Sequence, residues 1–379
     1  MLERKSITAI QWIQLCVVTF GHLAADSFGC VFYAVMPAIR DHFSLSLTAG
    51  VAIITIFNLG CNAVQLLFGP MRASKKKPFF LYIGVVLAST ICLIAFLPQR
   101  NYAFYIIALL AFMTSLGVGC VHPEGMRAVH LLRRIRPALS TTFYLNAGYV
   151  GYCGANFAVA WLVYMVGLKG LLIMLVLPVI QLAATAKYRI RLAIDRLNNN
   201  TGEKLKINFW LLFFMAVPLT ATSTIVPAFL PMYLKELGFK LYFGGLAIAI
   251  FGLGGMFGGF FWAKIAQFKG EMFCAFSAAM LAWPFLIIYM IFVKYHWAIL
   301  LLFGAGFNAT AAFILLVTLA RQIPTANLGL RMGLMIGGVW GVGSIILMLL
   351  GPVAERFGIK SVLGCSWVGY FIAAAAGFY

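Results

Sequence analysis

Apolar residues run through this chain in long blocks, separated by short polar breaks. A membrane-spanning helix needs roughly 20 mainly apolar residues. Twelve blocks reach that length, near 10–39, 46–70, 78–97, 103–128, 138–163, 166–187, 207–234, 241–266, 272–293, 297–320, 329–352 and 358–379. The pattern predicts an all-α membrane protein of twelve spans. Its longest hydrophilic stretch, Tyr188 to Lys206, follows the sixth span. The chain therefore divides into a six-helix bundle over 1–187, a cytoplasmic linker over 188–206 and a second six-helix bundle over 207–379.

Composition agrees. The 379 residues are 63% hydrophobic and 10% charged, against about 25% charged in a soluble domain whose surface must face water. The first block, Ile10 to Ile39, is far longer than the apolar core of a signal peptide, and no small-residue cleavage site follows it. All eight cysteines (Cys16, Cys30, Cys61, Cys92, Cys120, Cys153, Cys274 and Cys365) fall in apolar segments without a CxxC pair. Neither a disulfide framework nor a metal site is expected from them, and no cofactor is implied.

A net charge of +19 would suit nucleic acid if it formed one patch. With the N-terminus placed in the cytoplasm, however, 20 Lys and Arg fall on the cytoplasmic side and 8 on the other. That is the positive-inside bias. The basic excess reads as topology, with both termini cytoplasmic, and nucleic acid drops out as a partner. Helical spans also exclude an outer-membrane barrel, so a bacterial inner membrane is the expected setting.

The two halves look like copies. GPMRASKKK begins at Gly69 and GFFWAKIAQFK at Gly259, and Gly148-Tyr-Val-Gly151 matches Gly338-Val-Trp-Gly341. Both pairs are 190 residues apart. Parallel six-helix repeats are a transporter architecture, with the binding site near midplane between them. On these landmarks the chain resembles the major facilitator superfamily over essentially its full length. The Gly69 loop stands where that superfamily carries G-x-x-x-D-R-x-G-R-K/R. It keeps Gly69 and the basic end Lys75, Lys76 and Lys77, but has Ala73 at the acidic position. A more acidic version, Gly351-Pro-Val-Ala-Glu355-Arg356-Phe-Gly358, follows the eleventh span.

A finer resemblance is to the fosmidomycin-resistance type of exporter. It rests on GHLAADSF and MPAI near the first span, FSLSL before the second, Gly117-Val-Gly-Cys-Val-His122-Pro123-Glu124 in the fourth, and RMGLMIGGVWGVGSIILMLLG in the eleventh. The resemblance implies proton-coupled export of a small molecule or drug by a monomer. It also implies that the first, fourth, seventh and tenth helices line the cavity.

Ionisable groups inside a bilayer cost at least ~2.5–3.5 kcal/mol each and mark pathways or pairs. Only Asp26 and Glu124, of nine acids, lie well within spans. His22 precedes Asp26 by four residues and shares its helix face. His122 lies beside Glu124, with Arg127 three residues on as a charge partner. Histidine titrates near neutrality, so His22, Asp26, His122 and Glu124 are the expected proton-coupling group. Candidate substrate contacts are Asn58, Asn62 and Gln65 on the second span, Tyr144, Asn146 and Tyr149 on the fifth, Asn308 on the tenth and Trp340 on the eleventh. The seventh and tenth helices carry no charge, and Thr220, Thr222, Ser223 and Thr224 add hydroxyls there. They fit either an uncharged part of a ligand or hydrogen bonds between helices. Competing readings are uptake of an organic anion, a membrane enzyme built on the four ionisable groups, and a receptor on a transporter fold. No Ser/His pair or HExxH motif supports the enzyme.

Overall fold

The computed structural model describes residues 2–71, 75–135, 137–192, 207–323 and 328–377. Ala73 of the signature loop and the linker beyond residue 192 lie outside the described residues. Eleven described stretches are long and apolar enough to cross a membrane. One of them, Leu139–Lys187, has 49 residues. As one straight helix it would reach about 74 Å, more than twice the ~30 Å hydrocarbon core. It turns back at Gly167, whose φ of +67° suits a residue without a side chain. Twelve crossings result.

The crossing helices are α1 (Leu2–Gly29), α2 (Leu47–Met71), α3 (Phe79–Ala88, continued as a tighter 3-10 helix to Phe96), α4 (Ala103–Val129), α5 (Pro137–Val166) and α6 (Val176–Lys187, entered through the 3-10 helix Gly167–Leu175). The second set is α7 (Phe209–Glu236), α8 (Leu241–Lys269), α9 (Glu271–Phe292), α10 (Ile299–Gln322), α11 (Val339–Phe357) and α12 (Trp367–Ala376, entered through the short helix Ile359–Cys365). Their outward faces carry exposed Phe214, Ile291, Leu300 and Leu349. Such side chains belong against lipid, where a helix keeps its backbone polar groups bonded within itself.

Within the first six crossings, α1 packs on α4 and α5, and α4 also on α2 and α3. Within the last six, α10 packs on α8 and α9, and α7 on α11 and α12. The halves touch chiefly through α5 with α8 and α2 with α11. Small residues set those distances. Gly245 and Gly252 of α8 lie against Asn156 and Cys153 of α5, and Gly351 lies against Thr48 and Val51 of α2.

The halves are tied at the face opposite the termini. Lys235 at the end of α7 pairs with Asp41 and donates to the Pro37 carbonyl. Glu355 at the end of α11 accepts from the amide and hydroxyl of Thr48, in the first turn of α2. A carboxylate is favoured there because the first amides of a helix point outward unpaired.

The chain just after α6 is not a free tether. Ile190 and Leu192 are buried with Leu15, Val18, Ala128 and Val129. The Leu192 amide donates to the Lys76 carbonyl, and Gln14 donates to the Tyr188 carbonyl.

Candidate functional site: a carboxylate between two histidines

The first turn of the site is dictated by spacing. His22 and Asp26 sit four apart on α1, so their side chains stack on one face, with His22 Nε2 3.3 Å from Asp26 Oδ2. The other carboxylate oxygen, Oδ1, lies 3.2 Å from His122 Nε2 on α4. The two rings meet edge to face with centroids 4.7 Å apart, and Tyr144 of α5 stacks flat on His22 at 4.3 Å.

Each ring is pinned from behind. His22 Nδ1 lies 2.7 Å from the Tyr144 carbonyl and His122 Nδ1 2.8 Å from the Val118 carbonyl. A carbonyl only accepts, so both Nδ1 atoms donate. Close approach of α5 requires Gly148. A Cβ there would fall 2.5 Å from Asp26 Oδ2 and 2.6–2.7 Å from the His22 ring. His22 is 4% exposed, whereas the Asp26 and His122 side chains keep 21% and 25% of their surface. The carboxylate and one ring thus face open space, and the second ring backs them.

Glu124 does not join this group, which corrects the expected four-residue cluster. It is two residues beyond His122, about 200° around the helix, and points to the other side of α4. There it is buried and accepts from the amides of Phe80 and Leu81, 2.6 and 3.2 Å away, in the first turn of α3. Arg127, also buried, donates to the Lys75 carbonyl at 2.7 Å. Together the two side chains clasp the loop before α3 onto α4. Removing a partner of buried amides costs about 1–3 kcal/mol. A Glu124→Ala protein is expected to melt at lower temperature in detergent by differential scanning fluorimetry, with the proton dependence of transport unchanged.

The expected substrate contacts divide as well. Asn62 and Gln65 are half-buried and held by the Asn58 carbonyl and Cys61 Sγ. Asn58 is buried, accepts from the Tyr33 hydroxyl at 2.6 Å, and leaves its Nδ2 without a hydrogen-bond partner. Asn146, Tyr149 and Trp340 are half-buried, with Trp340 edge-on to Phe313. Two expectations fail on packing. Tyr144 is buried, its ring behind His22 and its hydroxyl donating to the His122 carbonyl. Asn308 is spent inside the second half, accepting from Trp262 and donating to the Gly304 carbonyl.

The hydroxyls of α7 take the interhelical alternative. Thr220 donates to the Val339 carbonyl, Thr222 to the Ser366 carbonyl, and Ser223 meets the Tyr370 hydroxyl. Thr224 bonds back to its own helix. Two features were missed. Tyr33, seven residues from Asp26, was open to discovery by spacing. The π-helical turn at Leu334–Gly338, just before Trp340, was signalled only by its paired glycines.

Twelve apolar crossings with a partly open polar cluster among the first six are the build of a membrane transporter. The sequence model of the Major Facilitator Superfamily matches residues 15–348, and the chain belongs to that family. It is 22% identical to the fosmidomycin resistance protein of Escherichia coli K12 over 367 residues, covering 92% of this chain and 88% of that protein. It is also 22% identical to the uncharacterized MFS-type transporter YfnC of Bacillus subtilis 168, with the same coverage of both chains. Among solved structures, the fold is similar to a point mutant of the nucleoside transporter NupG, with a TM-score of 0.75 and 13% identity, over 97% of this chain and 99% of that one. A bacterial homologue of the iron transporter ferroportin in the inward-facing state gives 0.72 and 15%, over 98% of both chains.

Proposed function

We propose that this protein is a proton-coupled exporter of a small molecule, working as a monomer by alternating access in a bacterial inner membrane. The observation that carries the reading is Asp26, half-open and held between two histidines on α1 and α4. It is a titratable group placed where a bilayer tolerates charge only at a cost. Protons bound there and substrate bound nearby can alternate, so that a proton gradient drives substrate out. The likeness to a resistance protein supports export as the direction. The 20-to-8 bias of basic residues supports cytoplasmic termini. In that orientation the tied face is the outer one.

Asn58, Asn62, Gln65, Asn146, Tyr149 and Trp340 are the residues we assign to substrate. The organic-anion uptake reading is weakened by Arg127, which is engaged by the Lys75 carbonyl instead of the cavity. The test is flux in proteoliposomes with imposed pH gradients, across a panel of antibiotics and organic acids that begins with fosmidomycin. Gradient-driven accumulation that collapses with a protonophore is expected. Flux of a panel member that ignores the gradient would sink the proton-coupled reading.

A further inference from the structure

We infer that the His22–Asp26–His122 cluster is a two-proton site, filled in the conformation described and emptied as a unit. The inference rests on the proton-coupled reading above and adds the number of protons and where they sit. Both Nδ1 atoms are committed as donors to backbone carbonyls, at 2.7 and 2.8 Å. In a neutral imidazole the other nitrogen is then a bare lone pair. Those two lone pairs, on His22 Nε2 and His122 Nε2, each face a different oxygen of Asp26, at 3.3 and 3.2 Å. A carboxylate oxygen is also an acceptor. Without protons, both contacts set lone pair against lone pair. Each becomes a hydrogen bond when one proton enters it, and two contacts need two protons.

The balance is simple. Filled, the cluster holds an ionised carboxylate and two imidazolium rings, or the equivalent with one proton shifted onto the carboxyl. Its net charge is +1 in either arrangement. Emptying breaks two bonds to hydrogen, at Nε2 or at the carboxyl oxygen, and passes both protons to water. It leaves two neutral rings protonated at Nδ1 beside one carboxylate, with net charge −1. No electrons move.

Among the described residues, the surroundings of Asp26 do not supply a fourth participant near neutrality. Asp26 is coupled electrostatically to His22 and His122, and beyond them to Cys30 and Cys61 on the first and second spans and Tyr144 and Tyr149 on α5. Thiols and phenols ordinarily ionise well above pH 7. Neither lysine nor arginine is among these partners. Because the three groups interact at hydrogen-bond distance, their protons come off as steps of the cluster and not of single residues. Losing the first proton leaves one contact repulsive, which drives the ring away and frees the second. Where the ring is that of His122, that movement would part α4 from α1 at Asp26.

The experiment needs no substrate. The full-length protein, in detergent micelles with 15N-histidine and 13C-aspartate labels, is titrated by NMR. The chain has five histidines and three aspartates, so His22→Gln, His122→Gln and Asp26→Asn assign the signals. At alkaline pH both rings are expected to carry their proton on Nδ1. On acidification the two rings and the Asp26 carboxyl together should gain two protons with linked curves. In Asp26→Asn the linkage between the rings should be lost.

A gain of one proton, or a neutral ring protonated at Nε2, would overturn the proposal. So would a spectrum that changes on dialysis against a chelator. That result would place a metal ion between nitrogen and oxygen atoms that lie within 4.8 Å of one another. Should the histidine variants fail to fold, the wild-type sum over both rings and the carboxyl still gives the count. Failure of proton-linked flux would be seen separately in the vesicle assay.

Discussion

Asp26→Asn is expected to stop gradient-driven accumulation of substrate while leaving exchange of substrate for substrate intact. The reason lies in the position of the carboxylate. Both histidine contacts end on it, at 3.2 and 3.3 Å, and an asparagine offers one oxygen and one amide in its place. The amide can donate to one Nε2 without any added proton, and the remaining oxygen carries no full charge. The cluster then has no need to take up protons in pairs. A gradient of one pH unit is worth about 1.36 kcal/mol per proton, or roughly tenfold in accumulation. Wild-type protein should approach about a hundredfold for two coupled protons, by the same conversion. The variant should level at about onefold in the same vesicles, because its cycle no longer spends the gradient. Accumulation by Asp26→Asn comparable to wild type would rule Asp26 out of coupling.

A second large effect is expected far from the cluster. Gly306 of α10 lies against the Phe251 carbonyl of α8, and Gly258 of α8 lies against the Phe307 carbonyl of α10. A Cβ at either position would overlap backbone, which cannot swing aside as a side chain can. In a bilayer, where lipid is as apolar as leucine, close backbone packing is a main source of helix association. Gly306→Leu should therefore cost about 3 kcal/mol and push α8 and α10 apart. The measurement is the yield of monodisperse protein and its melting temperature in detergent. A variant that purified and melted like wild type would show that the two helices have room to separate.

How much of this was written in the sequence differs from residue to residue. The twelve crossings follow from block length, while the landmarks 190 residues apart remain a reading of the sequence alone. The pairing of His22 with Asp26 follows from a spacing of four on a helix. His122 and Glu124 show the limit of reading by neighbourhood. Two residues apart in sequence, they face opposite sides of α4, and the helical period alone separates them. Arg127 goes with Glu124 for the same reason, three residues on.

Other contacts were beyond any periodicity. Asn308 meets Trp262, 46 residues away, and Thr222 meets Ser366 across 144. Whether a hydroxyl in an apolar helix serves a ligand or a neighbour depends on which helix packs against it, and spacing within one helix does not say. Tyr144 is a similar case. Nothing in its own segment tells that a histidine from α1 covers its ring.

The seating of Ile190 and Leu192 bears on how the chain can be divided. Because these residues belong to the interior of the first six helices, a gene cut just after Lys187 would strip that half of two buried side chains and of the Leu192–Lys76 hydrogen bond. A cut placed after Leu192 leaves both side chains and that hydrogen bond with the first six helices. Two polypeptides divided after Leu192 should co-purify in better yield than two divided after Lys187.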